Sequence, residues 1–271
     1  MFNELGDGVF RRRYEPLDEN VGMIIGESGV LIVDTRSTHG QGDEILLHLA
    51  RVTPLPVRWV VNTHWHWDHV FGNSRFPGSE IWGHVNTRHT LMTRPDDMKA
   101  GARQWLGDDM EAEIAGVEIV APERTFSDRV AIDIGRTVEL SYHGRGHTDA
   151  DIRVAIGDAR VTFLGDLIEE GAPPSFGDSH PLDWPLTLRL AMEGVDGVVV
   201  PGHGDVVDTG FVATQQQELA AVAELSVRVI EGELSLVEAA RLGPYPPEVM
   251  STALDRAIVT TSAPNPAVSS E

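Results

Sequence analysis

Hydrophobic and polar positions alternate in short blocks along the first part of the chain. Residues 8–13, 20–26 and 29–34 read as strands, the last two joined by Glu27-Ser28-Gly29, so the chain opens as a β-meander that leads to Asp34. Between 41 and 51 the period changes. Ile45, Leu46, Leu49 and Val52 fall at helical spacing, and Pro54 and Pro56 end the helix. A strand over 57–62 and another over 80–83 follow, then helical stretches near 86–93 and 97–106. Strands return at 129–133, 137–142, 151–156 and 160–165, separated by turn signals at Gly135 and Gly157-Asp158. Residues 167–185 hold four of the 16 prolines and few periodic apolar positions, which predicts a long loop of the kind that borders a site. A helix near 186–193, a strand over 197–200, a long helix over 213–230 and a shorter one over 247–258 complete a pattern that implies stacked sheets flanked by helices.

Composition narrows the chemistry. The 271 residues suffice for one large core, and 42 acidic against 21 basic residues give a net charge of −21, which argues against a nucleic-acid partner. There is no cysteine, hence no disulfide, no thiolate ligand and no cysteine nucleophile, and any metal must be held by His, Asp or Glu. No apolar run reaches the length of a signal peptide or a membrane span, so the expectation is a soluble cytoplasmic protein with no membrane partner. The final stretch, residues 262–271, is expected to be disordered. Against this background 11 histidines stand out, because imidazole is the commonest metal ligand.

Three of them crowd into Thr63-His64-Trp65-His66-Trp67-Asp68-His69, directly after the strand over 57–62. With this composition an H-x-H-x-[DE]-H run arises by chance in about 3 of 1000 such chains. Two residues apart in an extended segment, His64 and His66 can share one metal, while Asp68 and His69, further into the turn, aim at a second point nearby. Trp65 and Trp67 alternate with these and are expected to pack away from the site. Three further candidates end predicted strands beside glycine: His147 in Gly-Arg-Gly-His-Thr, Asp166 in Phe-Leu-Gly-Asp, and His203 in Pro-Gly-His-Gly.

Taken in order, H-x-H-x-D-H, GHT, LGD and PGHG resemble the metallo-β-lactamase superfamily of metallohydrolases, a likeness that spans about residues 8–205. The resemblance implies an α+β fold, a four-layer αββα sandwich; together with the C-terminal helices over about 213–258 read from the pattern, a single domain over 1–261 is expected. It implies that His64, His66 and His147 bind one zinc ion and Asp68, His69 and His203 a second, with Asp166 bridging; N/O ligands also accept Fe or Mn. The implied activity is hydrolysis by a hydroxide held between two zinc ions, with Asp68 orienting it or moving its proton. Asp34 matches an early Asp of the family that supports the metal loop by hydrogen bonds, although a strand-end turn carboxylate is the plainer alternative.

The branch is less sharply marked. Asp166 stands where one large group of β-lactam-cleaving members has Cys, so the ligand set looks closer to thioesterases, lactonases and phosphodiesterases, whereas GHTDAD followed directly by a strand looks β-lactamase-like. The preferred expectation is cleavage of a small-molecule ester, thioester, lactone or amide. The alternatives are a phosphodiesterase acting on a nucleotide or nucleic acid, a genuine β-lactamase, and, less favoured, a non-catalytic metal-binding domain. Phe176, His180 and Trp184, in the Pro-rich loop, are candidate substrate contacts, and His84 is either a site residue or a helix-start polar residue. The helix over 213–230 is a candidate cleft cap or homodimer interface, its period alone favouring core packing.

Overall fold

The computed structural model describes residues 1–262. The expected tail over 262–271 lies, apart from Ser262, outside the described residues. The strands are β1 (Asn3–Gly6), β2 (Val9–Tyr14), β3 (Glu19–Ile25), β4 (Val30–Val33), β5 (Val57–Val61), β6 (Glu80–His84), β7 (Arg124–Phe126), β8 (Arg129–Asp133), β9 (Thr137–Tyr142), β10 (Ile152–Ile156), β11 (Val161–Glu169) and β12 (Val198–His203). The α-helices are α1 (His39–Leu49), α2 (Trp67–Val70), α3 (Val85–Thr93), α4 (Pro95–Leu106), α5 (Glu111–Gly116), α6 (Trp184–Ala191), α7 (Thr209–Ile230), α8 (Leu236–Leu242) and α9 (Pro247–Ser262).

Two half-sheets face each other. One runs β7-β6-β5-β4-β3, with β2 and β1 continuing from β3, and the other runs β12-β11-β10-β9-β8. They meet where β3 and β12 pair through one register position, His203 opposite Glu19. Side chains around this seam add to it: Asn20 Nδ2 donates to the carbonyls of Pro201 (2.9 Å) and Gly204 (3.0 Å), and the Gly204 amide donates to Asp18 (3.0 Å).

The period-2 alternation of the strands divides the core. In β4, Leu31 and Val33 point inward to meet Ile152, Val154 and Phe163 of the other half, whereas Val30 and Ile32 point outward to Ile45 and Leu49 of α1. In β11, Val161 and Phe163 face the inner layer and Leu164 the outer one, where α6, α7, α8 and α9 cover it. Strands apolar on both faces are what a sheet covered on both sides requires. The result is the four-layer αββα sandwich. Among the described residues no helix is long and apolar enough to cross a membrane.

Several elements depart from the hydrophobic pattern. β1, β7, α5 and α8 are three to seven residues long, too short for either period to register in the sequence. β11 runs on to Glu169 instead of ending near 165. Gly165-Asp166 reads as a strand end, but a register irregularity between Phe163 and Gly165 absorbs that break and the strand resumes, buried throughout. α7 packs Val212, Leu219 and Val222 into the outer core, as its period suggests.

The outer helical layer is a working part of this core. Leu254→Ala on α9, a fully buried position, is expected to cost about 2–5 kcal/mol in urea unfolding; a loss under 0.5 kcal/mol would mean that α9 is dispensable to the fold.

Candidate metal centre

All seven predicted metal-binding side chains converge at one end of the sandwich. β5 delivers the chain into the loop that carries His64 and His66, and α2 carries Asp68 and His69 one turn further on. His147 follows β9. Asp166 lies within β11 and His203 ends β12, and because these two strands run parallel their ends emerge together. His64, His66, His147 and Asp166 form one group of mutually close donors and Asp68, His69 and His203 a second, with donor atoms within 4.8 Å of one another in each.

The imidazoles are aimed by what their outer nitrogens bond. His64 Nδ1 meets the Thr63 hydroxyl (3.1 Å), His66 Nε2 meets Asp178 Oδ2 (3.3 Å), His69 Nδ1 meets Asp34 Oδ2 (2.9 Å), His147 Nδ1 meets the Ser175 carbonyl (3.2 Å) and His203 Nδ1 the Leu17 carbonyl (2.7 Å). In a neutral imidazole a proton committed outward leaves the inner nitrogen with a lone pair. Those inner nitrogens approach one another: His64 Nε2 and His66 Nδ1 are 3.1 Å apart, His147 Nε2 and His66 Nδ1 2.7 Å, and His69 Nε2 and His203 Nε2 3.3 Å. Zinc–nitrogen bonds of about 2.0–2.1 Å in a tetrahedron put neighbouring donors about 3.3 Å apart, so the spacing suits a shared cation.

Asp166 stands between the groups. Its Oδ2 lies 3.3 Å from His147 Nε2 and 3.5 Å from His203 Nε2, and its Oδ1 lies 3.2 Å from His69 Nε2. Oδ1 is buried and accepts no hydrogen bond among the described residues, which is the condition of an oxygen suited to a cation. The donor set therefore fits two divalent metals.

Electrostatics divides the imidazoles. Burial draws His64 well below its ordinary range and His147 down to about 4, so both stay neutral. Burial would lower His69 and His203 too, but Asp166 and Asp68 outweigh it and hold both well above their ordinary value. Burial pushes Asp68 up, yet His69 and His203 bring it down to about 2, so it remains a carboxylate.

Asp34 braces the ligand loop. Its Oδ1 accepts from the Thr63 amide (2.8 Å), and its Oδ2 accepts from the Thr63 hydroxyl (2.7 Å) and His69. Its backbone sits at φ +63°, and Arg36 two residues on at φ +71°, a left-handed conformation that non-glycine residues seldom adopt outside sites that need it. Gly202 is required by close approach: a Cβ there would lie 1.7 Å from Asp166 Oδ1.

The candidate substrate contacts separate. Phe176 and Trp184 are buried in the outer core, Trp184 with no exposed surface and its indole N–H donating to the Leu167 carbonyl (3.2 Å), so neither has area to offer a substrate. Burying two large aromatic side chains prevailed over their place in a Pro-rich loop. His180 is half-buried beside the His147 loop, its amide donating to the Gly146 carbonyl (2.8 Å). Its imidazole is drawn down to about 4 by burial and then by Arg145 and Arg256. His84 caps α3, accepting from the Asn86 amide, and stacks on Tyr142 at 4.1 Å, which makes it the helix-start residue. Trp65 and Trp67 are buried, as their alternation implied.

Three contributors went unforeseen. Thr63 precedes the first histidine and is readable as its partner. Asp151 takes two hydrogen bonds from Thr148, amide 2.8 Å and hydroxyl 2.7 Å, and so locks the turn after His147, a local pattern visible in Thr-x-x-Asp. Asp178 is joined to His66 only by folding, across 112 positions, and leaves no sequence signal.

Comparison with known proteins identifies the family and the fold. The family model described as Metallo-beta-lactamase superfamily matches residues 14–203, more than half of the chain. A metallo-beta-lactamase type 2 of Bacillus sp. is 24% identical over 197 residues, covering 70% of this chain and 68% of the relative. A linear primary-alkylsulfatase of Pseudomonas sp. is 23% identical over 265 residues, covering 82% of this chain and 50% of the relative. Among solved structures, a metallo-beta-lactamase from Pontibacter korlensis superposes with a TM-score of 0.66 at 19% identity, over 81% of this chain and 98% of the other. A stereoselective inverting sec-alkylsulfatase from Pseudomonas sp. gives 0.78 at 18% identity, over 96% of this chain and 50% of the other. The chain thus spans about half the length of the alkylsulfatases it matches, and the structural likenesses speak to the fold alone.

Two outcomes are expected at this centre. A ligand imidazole must be neutral, and His69 and His203 hold protons in the metal-free protein, so zinc uptake should release protons and apparent affinity should rise from about pH 6 to 8. Titration calorimetry in buffers of different ionisation enthalpy reads this, and an affinity independent of pH would contradict it. Gly202→Ala must displace Asp166 and should weaken zinc at least about tenfold in chelator competition.

Proposed function

Because the chain belongs to the metallo-β-lactamase superfamily, we propose that it is a metal-dependent hydrolase of a small carboxylic ester, thioester, lactone or amide. The observation that carries this reading is the convergence of five inner imidazole nitrogens with Asp68 and Asp166 on two adjacent points, each imidazole held from behind. In this reading His64, His66 and His147 would hold one cation and Asp68, His69 and His203 the other, with Asp166 available to both. Two such ions would supply Lewis acidity toward the scissile group and a nucleophilic hydroxide at neutral pH. Zinc is proposed, since it is at home with imidazole and carboxylate donors; iron or manganese would also be accepted by the same set.

The chain's own residues do the rest. Asp68, whose Oδ2 lies 3.4 Å from His203 Nε2, would orient the attacking water and take its proton. Asp34 and Thr63 keep the loop from relaxing when charge moves. A small-molecule substrate and a cytoplasmic setting belong to the same proposal, as does the absence of a nucleic-acid or membrane partner; a homodimer is a further proposal that α7, packed into the core, does little to support.

A second reading is hydrolysis of a sulfate ester. It is favoured by the coverage of 96% against the sec-alkylsulfatase, compared with 81% against the Pontibacter metallo-beta-lactamase. β-Lactam turnover is expected to be weak, because a carboxylate at Asp166 changes the charge around the second cation.

One screen decides among these: carboxylic esters, thioesters, lactones, β-lactams, alkyl sulfates and phosphodiesters, each with and without chelator. Turnover of a carboxylic ester or lactone that chelator abolishes and zinc restores is expected. His66→Ala should lower its kcat/KM by more than about a hundredfold, the upper range for losing a mere supporting partner. Alkyl sulfate turnover with esters untouched would favour the second reading, and activity indifferent to chelator and to His66→Ala would overturn both.

A further inference from the structure

The family match ends at residue 203, yet α9, beyond it, holds a loop that contacts the ligand histidines. The loop over 170–183 provides outer partners for two of the three imidazoles in the first group: the Ser175 carbonyl for His147 Nδ1 and the Asp178 carboxylate for His66 Nε2. That loop is gripped from α9. Arg256 Nε donates to the Ser179 carbonyl (2.8 Å) and an Arg256 terminal nitrogen donates to the Asp178 carbonyl (3.1 Å). A planar guanidinium that takes two successive carbonyls fixes the orientation of the peptide between them, a task a flexible ammonium does poorly.

Two features distinguish this from ordinary surface anchoring. In a chain with 42 acidic residues, Arg256 pairs with no carboxylate among the described residues and commits its donors to backbone. Its helix is also fixed in place, with Met250, Ala253, Leu254 and Ala257 on the buried face. The line of contact runs unbroken from the outer core through Arg256, the 178–179 peptide and the Asp178 carboxylate to His66, whose Nδ1 lies 2.7 Å from His147 Nε2 and 3.1 Å from His64 Nε2.

We propose that Asp178 and Arg256 are positioning residues: Asp178 holds the His66 Nε2–H so that Nδ1 faces the metal, and Arg256 holds Asp178. The C-terminal helices thereby set the metal affinity of the His64/His66/His147 position. This rests on the metal-binding reading above. A carboxylate behind a ligand imidazole fixes its tautomer and ring orientation and raises its basicity, and loss of such a partner typically costs 10–100-fold in metal affinity.

The test compares wild type, Asp178→Ala, Arg256→Gln, Arg256→Lys and the Asp178→Ala/Arg256→Gln double variant, using zinc in chelator competition and cobalt(II) absorption as a reporter of ligand geometry. Thermal unfolding of the metal-free proteins runs alongside. Asp178 is 46% exposed at its side chain, so its truncation is expected to leave folding intact, which the unfolding measurement checks. Asp178→Ala is expected to weaken one of two zinc positions about 10–100-fold and to alter the cobalt spectrum. Arg256→Gln should weaken the same position several-fold, Arg256→Lys less, and the double variant no more than Asp178→Ala alone, because Arg256 acts through Asp178. Unchanged zinc affinity in Asp178→Ala, or fully additive losses in the double variant, overturns the proposal, as does a fall in thermal stability without a change in affinity. Wild type that takes up no zinc or cobalt would bring down the metal-binding reading itself, whereas wild-type uptake with unaffected variants removes only this inference.

Discussion

The carboxylate of Asp34 accepts three hydrogen bonds inside the protein, from the Thr63 amide, the Thr63 hydroxyl and His69 Nδ1, and it does so from a left-handed backbone conformation. A strand-end aspartate in that geometry ties the end of β4 to the loop after β5 and to the first turn of α2 in one contact. Remove it, and the Thr63 amide, buried at this point, has no substitute acceptor, a penalty of about 1–3 kcal/mol before any effect on the site. The strain of the backbone and the pull of the hydrogen bonds are parts of one arrangement: the first is tolerated because the second is satisfied.

The same logic repeats around the centre. Each imidazole is held by a group that is not itself a donor to the site: a hydroxyl, two carboxylates and two backbone carbonyls. The carbonyls belong to Leu17 and Ser175, in segments far apart in sequence, so the precision of the centre is distributed over most of the chain. The ligands themselves occupy a few loops.

This distribution explains what could be read from residues alone. The run His64 to His69 announces itself through crowding, and His147, Asp166 and His203 through glycine-flanked strand ends. The order of strands and helices implies stacked sheets flanked by helices, and the four-layer sandwich follows from the family likeness. Asp178 could not be found, since nothing local links it to His66, and the backbone carbonyls carry no residue identity at all. Phe176 and Trp184 are buried for a physical reason. A Pro-rich loop suggests exposure, but a large aromatic side chain gains about 25 cal/mol per Å² of apolar surface removed from water, and the outer core had room for both. β11 was cut short because Gly165 and Asp166 interrupt its apolar run, at the one place where the strand needs a carboxylate.

The seam between the half-sheets has one paired position, and the residue on one side of it is His203. Cations shared by His64, His147, Asp166 and His203 would therefore act as a cross-link between two halves whose backbone connection is slight, and between residues 139 positions apart along the chain (203 − 64). Through linkage, whatever free energy the ions gain on binding the folded state is added to the stability of the pairing of the halves. In such a molecule, loading the cations and holding the two half-sheets together would be one event.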